Sequence, residues 1–225
     1  IGASGDTVNV VGTLQNNGSE LTGDISSVVA GTGLSGGGTS GDVTLNVDLI
    51  SKQAGTNFTN SLLVGTSSTG TLSSANANTG VGIGVLGALT TGDCNVAVGF
   101  EALDINTTGS QNVAIGAVAL DTNTTGSKNI AIGMYALDSN TTADCNVSIG
   151  YNSSQANTTG TDNVAIGSNA LTTNTTADGN TAVGHRVLDA NTTGASNTAL
   201  GSNALGANTT GNKNTAIGHS AMFTN

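Results

Sequence analysis

The side chains best able to do chemistry in this sequence are two histidines and a series of aspartates. His185 and His219 lie 34 residues apart, and each could ligate a transition metal. Asp104, Asp121 and Asp138 follow one another at a constant interval, which is half of that spacing, and carry the oxygen ligands that Ca²⁺ prefers. Whether these histidines and aspartates can bind a metal therefore depends on the structure of the segment that repeats along the chain.

A seventeen-residue repeat unit sets this spacing. The motif Asn-x-[Ala/Ser]-[Val/Ile/Leu]-Gly recurs without insertion, and each copy continues through Ala-Leu to a turn that typically reads Asn-Thr-Thr-Gly. The short apolar run before the Gly predicts a strand, and the constant length predicts coils that stack in register. We therefore predict an all-β chain that forms a parallel β-solenoid with seventeen-residue coils. We number the unit from position 1, the opening Asn, which is Asn95, Asn112, Asn129, Asn146, Asn163, Asn180, Asn197 and Asn214.

Stacking at about 4.8 Å per coil limits the chemistry. The two histidines would lie about 10 Å apart, too far to share one ion, and the aspartates are better explained as solvated carboxylates than as a calcium site. Cys94 and Cys145 are separated by three coils. Their separation of about 14 Å exceeds the ~7 Å limit for a disulfide, so we predict two free thiols.

The composition excludes several functions. Charged residues make up 8% of the chain and its formal net charge is −10, so a basic surface for nucleic acid is not available. The sequence contains no apolar run long enough to predict membrane insertion. No nucleophile with a base, phosphate-binding loop or pair of catalytic carboxylates stands out. We predict that the chain is not an enzyme and has no catalytic, cofactor-binding or metal-binding residues.

Two columns of the unit stay apolar, and we predict that both fill the interior. Position 3 is almost always Ala, and alternation along a strand would then point it outward. An apolar outer face needs a second layer, so we predict oligomerisation. The alternative is that Ala fits a narrow bend inside a monomeric roll. The predicted interior columns are position 4 (Val98, Ile115, Ile132, Ile149, Ile166, Val183, Leu200, Ile217) and position 9 (Leu103, Leu120, Leu137, Ser154, Leu171, Leu188, Leu205, Met222).

Position 12 is an Asn in every coil from Asn106 to Asn208 and is followed by two Thr. Each copy is formally an Asn-x-Thr glycosylation acceptor. Because the motif recurs with the fold, a turn with a hydrogen-bonded Asn ladder is the better interpretation.

The repeat resembles two related groups of proteins. Asn-x-Ala-Ile-Gly-x-x-Ala-Leu is similar to the head repeat of trimeric autotransporter adhesins, which implies a left-handed parallel β-roll assembled as a homotrimer. The longer unit that closes with Asn-Thr-Thr-Gly resembles repeats of virus and bacteriophage tail-fibre proteins. Residues 31–48, GTGLSGGGTSGDVTLNVD, are also similar to a segment common in tail fibres. The adhesin heads use a shorter coil, so the coil shape does not follow from that resemblance.

We divide the chain into an irregular, β-rich region of fibre-connector type at 1–60 and the solenoid at 61–225. In the first region we predict strands at 7–14 and 43–50 and a loop at 31–41. A distant copy of the unit starts at Ser61, a weak one at Asn78, and clear copies follow. Because the last unit stops midway at Asn225, we expect the chain to be a piece of a longer polypeptide.

The resemblances imply a structural segment of a virion fibre that supports host attachment. Its expected partners are other copies of itself in a homotrimer, other fibre or tail proteins, and a host cell-surface receptor. The alternative is the head of a bacterial trimeric adhesin on the cell surface. A third hypothesis is an ice-binding solenoid, in which stacked Thr pairs such as Thr107-Thr108 organise water; the adjacency of the pair argues against it, since neighbouring residues of a strand face opposite sides.

Overall fold

The chain divides into two units, Ile1–Leu49 and Ile50–Asn225. The computed structural model describes residues 15–16, 19–20, 34–36, 45–47, 58–65 and 69–224. In the first unit the described strands form two antiparallel pairs, β1 (Gln15–Asn16) with β2 (Ser19–Glu20) and β3 (Leu34–Gly36) with β4 (Leu45–Val47).

Strand β4 lies inside the strand predicted at 43–50, whereas β3 corrects the prediction of a loop at 31–41. The register pairs Leu34 with Val47 and Gly36 with Leu45, so part of the Gly-rich segment satisfies its backbone groups in a ladder. The strand predicted at 7–14 lies outside the described residues.

The second unit is a parallel β-solenoid, which confirms the predicted fold class. Strand β5 (Phe58–Thr59) pairs with β7 (Ala75–Asn76), and ten further strands form one parallel sheet in which every partner is one repeat unit away. The distant copy of the unit at Ser61 belongs to this sheet, because Leu62 pairs with Thr79. The ten strands are β6 (Leu62–Val64), β8 (Thr79–Val81), β9 (Val96–Val98), β10 (Val113–Ile115), β11 (Ile130–Ile132), β12 (Val147–Ile149), β13 (Val164–Ile166), β14 (Thr181–Val183), β15 (Thr198–Leu200) and β16 (Thr215–Ile217).

The interior of the solenoid contains one of the two predicted columns, and the strand residues at positions 3 and 4 face the opposite way from the prediction. The position 9 leucines are fully buried, as predicted, although Met222 in the last coil is 44% exposed. The position 3 alanines are also buried, whereas position 4 points outward: Ala114 is 0% exposed and its neighbour Ile115 is 39% exposed. The prediction that position 4 fills the interior was therefore wrong, and so was the prediction that position 3 points outward. A one-residue error in phase turns every side chain of a strand to the other face.

The physical reason is the narrowness of the coil. Position 3 lies across the interior from positions 8 and 9, which already fill the space with Ala and Leu. In the coil that begins at Asn78, position 8 is the larger Val85 and position 3 has shrunk to Gly80. A Cβ on Gly80 would meet the side chains of Leu63, Val85 and Leu86. The interior is therefore closely packed, and the larger Ile and Val of position 4 have no room inside.

Two buried Asn columns hold the coils together. At position 1, the backbone N–H of each Asn donates to the side-chain oxygen of the preceding coil's Asn, as Asn95 does to Asn78 at 2.9 Å. At position 12, Nδ2 donates to the preceding Oδ1, as Asn123 does to Asn106 at 2.8 Å. The predicted Asn ladder is thereby confirmed. Since Asn106 is 0% exposed, its side chain is not accessible for glycosylation.

The left-handed backbone of each coil lies mostly at residues whose type does not favour it. From the sequence we expect chain reversal near Gly99 and at the Asn-Thr-Thr-Gly segment; positive φ is found at Gly99 (+135°), and also at Glu101 (+53°), Leu103 (+55°) and the residue that closes each unit. Left-handed geometry is costly for a leucine. Here it lets the Leu103 N–H reach Ala119 O in the following coil at 3.0 Å, while Glu101 N–H reaches Ile83 O in the preceding coil at 2.8 Å.

The coil at 146–162 interrupts the apolar core. It carries Ser148, Ser153 and Ser154 at positions 3, 8 and 9, where the other coils mostly have Ala, Ala and Leu. All three are buried. Ser153 Oγ donates to Ala165 O at 2.9 Å, whereas the Oγ atoms of Ser148 and Ser154 are buried without a hydrogen-bond partner. The buried apolar residues accordingly fall into two clusters, one on each side of this coil.

Candidate functional site

The outward side of the parallel sheet is the best candidate for a functional surface. We call it the strand face and define it as the side chains at positions 2 and 4 of the coils from Asn95 onward. Position 4 is Val, Ile or Leu in all eight coils; position 2 is Val or Ile up to Val164 and Thr from Thr181 onward. These side chains are half-buried or exposed, and exposure reaches 69% at Ile217 in the last coil. The strand face is therefore a continuous apolar ladder, widest between residues 96 and 166.

An apolar ladder of this kind differs from ordinary surface exposure of single hydrophobic residues. In-register pairing places Ile115 between Val98 and Ile132, so each β-branched side chain contacts equivalent ones above and below. Contiguous exposed apolar patches mark interaction surfaces in soluble proteins. A sheet whose two faces are both apolar is one that packs on both faces.

The apolar outer face lies at other residues than those we predicted. We predicted it at the Ala column of position 3 and assigned no face to position 2. A signal was present in the sequence: position 3 is Leu63 in the coil that begins at Ser61 and Gly80 in the next coil, as expected of an interior column whose neighbours along the axis share one space.

The aspartates of position 10 form a half-buried carboxylate ladder on another side of the coil. Burial, and then the charges of Asp104, Asp138 and Glu101, raise the pKa of Asp121 to about 6. Burial also raises the pKa values of Asp104 and Asp138. One oxygen of Asp121, Oδ1, is buried without a hydrogen-bond partner. The three carboxylates are therefore less solvated than we expected.

The structure does not bring these aspartates together as metal ligands. Within residues 58–65 and 69–224, no group of three or more His, Cys, Asp or Glu side chains converges in the way that a metal ion requires. His185 and His219 are exposed and lie in coils that are not adjacent. Cys94 and Cys145 are free and exposed, which confirms the prediction of two free thiols.

The two Thr of the turn behave differently from each other. The hydroxyl of the first, at position 13, donates to the backbone of the following coil, as Thr107 does to Thr124 O at 2.8 Å. Six further coils repeat this bond at 2.8–3.3 Å. The second Thr, at position 14, is exposed throughout. Only the Thr column at position 14 therefore faces the solvent, because the hydroxyls at position 13 are bonded to the backbone. The ice-binding hypothesis needs both Thr columns to form one flat, solvent-facing array.

Fold and surface together define a class: a parallel β-solenoid with an apolar strand face on one side and a polar turn region on the other. None of the described segments is a helix long and apolar enough to cross a membrane. No protein-family model matches this chain, and neither a curated protein nor a solved structure is significantly similar to it.

Proposed function

We propose that this chain is a structural segment of a virion fibre, a tail fibre or a similar appendage, that supports host attachment and assembles as a homotrimer through the strand face. The observation that carries the proposal is the half-buried to exposed apolar ladder, since position 4 is Val, Ile or Leu in eight stacked coils and such a ladder needs a covering layer. A second copy of the chain offers an identical ladder with the same spacing. The resemblance to adhesin head repeats favours three copies.

The mechanism of such a segment is mechanical. Backbone ladders and two Asn columns join each coil to the next, so a load along the axis is carried by many parallel hydrogen bonds. Association of three solenoids would resist bending and would present several copies of whatever the fibre carries, which gives avidity. The tail-fibre type of residues 31–48 supports the assignment to a virion.

The oligomer is tested by native mass measurement of the chain and of two lysine variants. Ile132→Lys places a charge in the middle of the strand face, between Ile115 and Ile149. A buried unpaired charge costs several kcal/mol, so we expect this variant to dissociate to monomers. Thr125→Lys is the matched control, because Thr125 is exposed on the turn region. A wild-type chain that is monomeric, or an Ile132→Lys variant that keeps the wild-type mass, would contradict the proposal.

A second candidate is the head of a bacterial trimeric adhesin. The observation that favours it is an exposed apolar patch at position 6, formed by Phe100, Met134 and Tyr151. Tyr135 packs edge-on against Tyr151, with ring centroids 6.4 Å apart. Aromatic and Met side chains are enriched where proteins bind other proteins. Sequencing the regions that flank the gene separates the two candidates: fibre modules favour the virion, and a coiled coil followed by a membrane barrel favours the adhesin.

A further inference from the structure

A groove of about 740 Å³ lies on the outer surface of the coils between residues 163 and 224. A second depression, of about 460 Å³, shares Thr173, Arg186 and Asp189 with it and extends the groove to Asn169 and His185. The shared residues make one elongated groove that crosses several coils. The polar and aromatic residues that line its larger part are Thr173, Arg186, Asp189, Asn203, Ser220 and Phe223.

Small residues open the groove at this place. Position 10, which carries Asp104, Asp121 and Asp138 in the earlier coils, is Gly206 in the coil between Asp189 and Phe223, and position 11 is Ala190 and Ala207. The ring of Phe223 lies over Gly206, where a Cβ would come within 2.7 Å of it. The aromatic ring therefore forms one wall, and it is 48% exposed.

The groove lies on the opposite side of the coil from the strand face. Its wall residues belong to positions 7, 10 and 11, which flank the buried positions 8 and 9. Position 8 packs across the interior against the strand, as the bond from Ser153 Oγ to Ala165 O shows. An oligomer formed through the strand face would thus leave the groove open to solvent.

The lining combines hydrogen-bond donors and acceptors at close quarters. Arg186 Nε donates to Asp189 Oδ2 at 2.9 Å, so the guanidinium and the carboxylate largely compensate each other's charge. The amide of Asn203 and the hydroxyl of Ser220 each offer a donor and an acceptor, and Thr173 Oγ1, which donates to Asp189 O at 2.6 Å, offers an acceptor. A ligand that matches this lining carries many hydroxyl groups, both donating and accepting, and an apolar ring face that can lie against Phe223.

The charge of the surroundings selects among such ligands. Residues 163–225 carry two acidic and two basic side chains, whereas residues 78–162 carry seven acidic and one basic. The groove therefore lies in the electrically balanced part of the solenoid. A chain of net charge −10 would repel an anionic ligand, and the paired Arg186 and Asp189 add no net positive charge to offset that repulsion, whereas a neutral ligand is not repelled.

We infer that this groove binds a neutral oligosaccharide, with Arg186, Asp189 and Asn203 bonding its hydroxyl groups and Phe223 supporting a ring face. The inference goes beyond the proposed function and does not rest on it, since every residue that lines the groove belongs to one chain.

The test is binding of the full 225-residue chain to immobilised oligosaccharides of defined composition. One set consists of neutral hexose and N-acetylhexosamine oligomers, and the other of oligomers that contain hexuronic acids. We expect binding to members of the neutral set. Asp189→Ala should weaken it about tenfold or more, which corresponds to the loss of one hydrogen bond to a charged group. Asp138→Ala is the matched control at position 10 outside the groove, and it should bind like the wild type.

A second variant makes the result independent of Asp189. Ala207→Trp fills the groove at an exposed position, so it should abolish binding while leaving the thermal unfolding curve unchanged. If no neutral oligosaccharide binds, if only the uronate-containing set binds, or if both groove variants bind like the wild type, the inference is overturned. Native mass measurement reports on the strand face separately, so failure of one proposal does not imply failure of the other.

Discussion

Replacing Ser154 by Leu should stabilise this protein, because it restores the one position 9 residue between Leu103 and Leu205 that is not apolar. Ser154 is 1% exposed, its Oγ has no hydrogen-bond partner, and Leu137 and Leu171 lie one coil away on either side. Its backbone has φ of +47°, close to the +53° of both leucines, so the substitution needs no change of backbone geometry.

The expected gain is worked from two contributions. Burial of a Leu side chain stabilises by about 1.5–3 kcal/mol. Removal of an unpaired buried hydroxyl relieves a further cost of about 1–3 kcal/mol. Imperfect packing against Ser148 and Ser153 offsets part of this sum, so we expect a net gain of about 2 kcal/mol or more. For a chain of 225 residues, this corresponds to a rise in Tm of about 4–8 °C.

Differential scanning calorimetry of the wild type and Ser154→Leu measures this gain directly. The two apolar clusters should also become one, so the calorimetric transition should sharpen as well as shift. Ser168→Leu is the matched control, because it adds the same atoms at position 6, where Phe100 and Tyr151 are exposed. An unchanged or lower Tm for Ser154→Leu would refute the view that this coil interrupts the core.

Three further predictions concern the ladders and the core. Because the folded-state pKa of Asp121 is raised to about 6 from 3.8, folding favours its protonated form, so stability should increase as pH falls from 7 through 6 toward 4. Asp121→Asn should flatten that part of a Tm-against-pH curve, and a wild-type curve that is already flat would contradict the reasoning. Asn123→Ala should lower the free energy of unfolding, measured in urea, by about 2–4 kcal/mol, because it removes the bonds of Asn123 to Asn106 Oδ1 and from Asn140 Nδ2. A loss below about 1 kcal/mol would mean that the ladder adds little. Leu171→Ala should cost about 2–5 kcal/mol in the same assay, and a negligible loss would show that the interior can collapse around the gap.

Much of this fold could be predicted from the repeat alone. A constant unit fixes which residues stack, so the parallel register, the Asn columns, the buried Leu column and the free thiols all follow from spacing. Spacing acts along the axis, and it contains little information about the shape of one coil. The predictions about the solenoid that were wrong all concern that shape.

The strand phase is the clearest case. Ile115 is more apolar than Ala114, and the usual expectation puts the larger apolar residue inside. Volume decides otherwise, because Leu103 and its equivalents already occupy the interior from the opposite wall. The left-handed backbone at Leu103 is a second case, since residue type alone favours Asn and Gly there. Both outcomes depend on how the segments of one coil pack in a narrow interior. The residue pattern of a single strand does not show this packing.

The groove was not predictable for a related reason. Gly206 and Ala207 are ordinary residues in this sequence, and only their place beside Phe223 and the Arg186–Asp189 pair gives them significance. The groove brings together residues at positions 7, 10 and 11 of successive coils. Comparing the coils one position at a time does not show that these residues are neighbours.

The uniform register of the sheet has an evolutionary consequence. Each strand of the sheet pairs with its neighbours in the same register, at an offset of one repeat unit, from Leu62 to Ile217. Duplication or deletion of a stretch of the gene that encodes one unit, at any phase, would therefore add or remove one whole coil without disturbing the others. The length of such a protein can change in steps of about 4.8 Å by recombination between its own repeats. Length becomes a trait that selection can adjust in steps of one coil, which would suit the fibre segment proposed above.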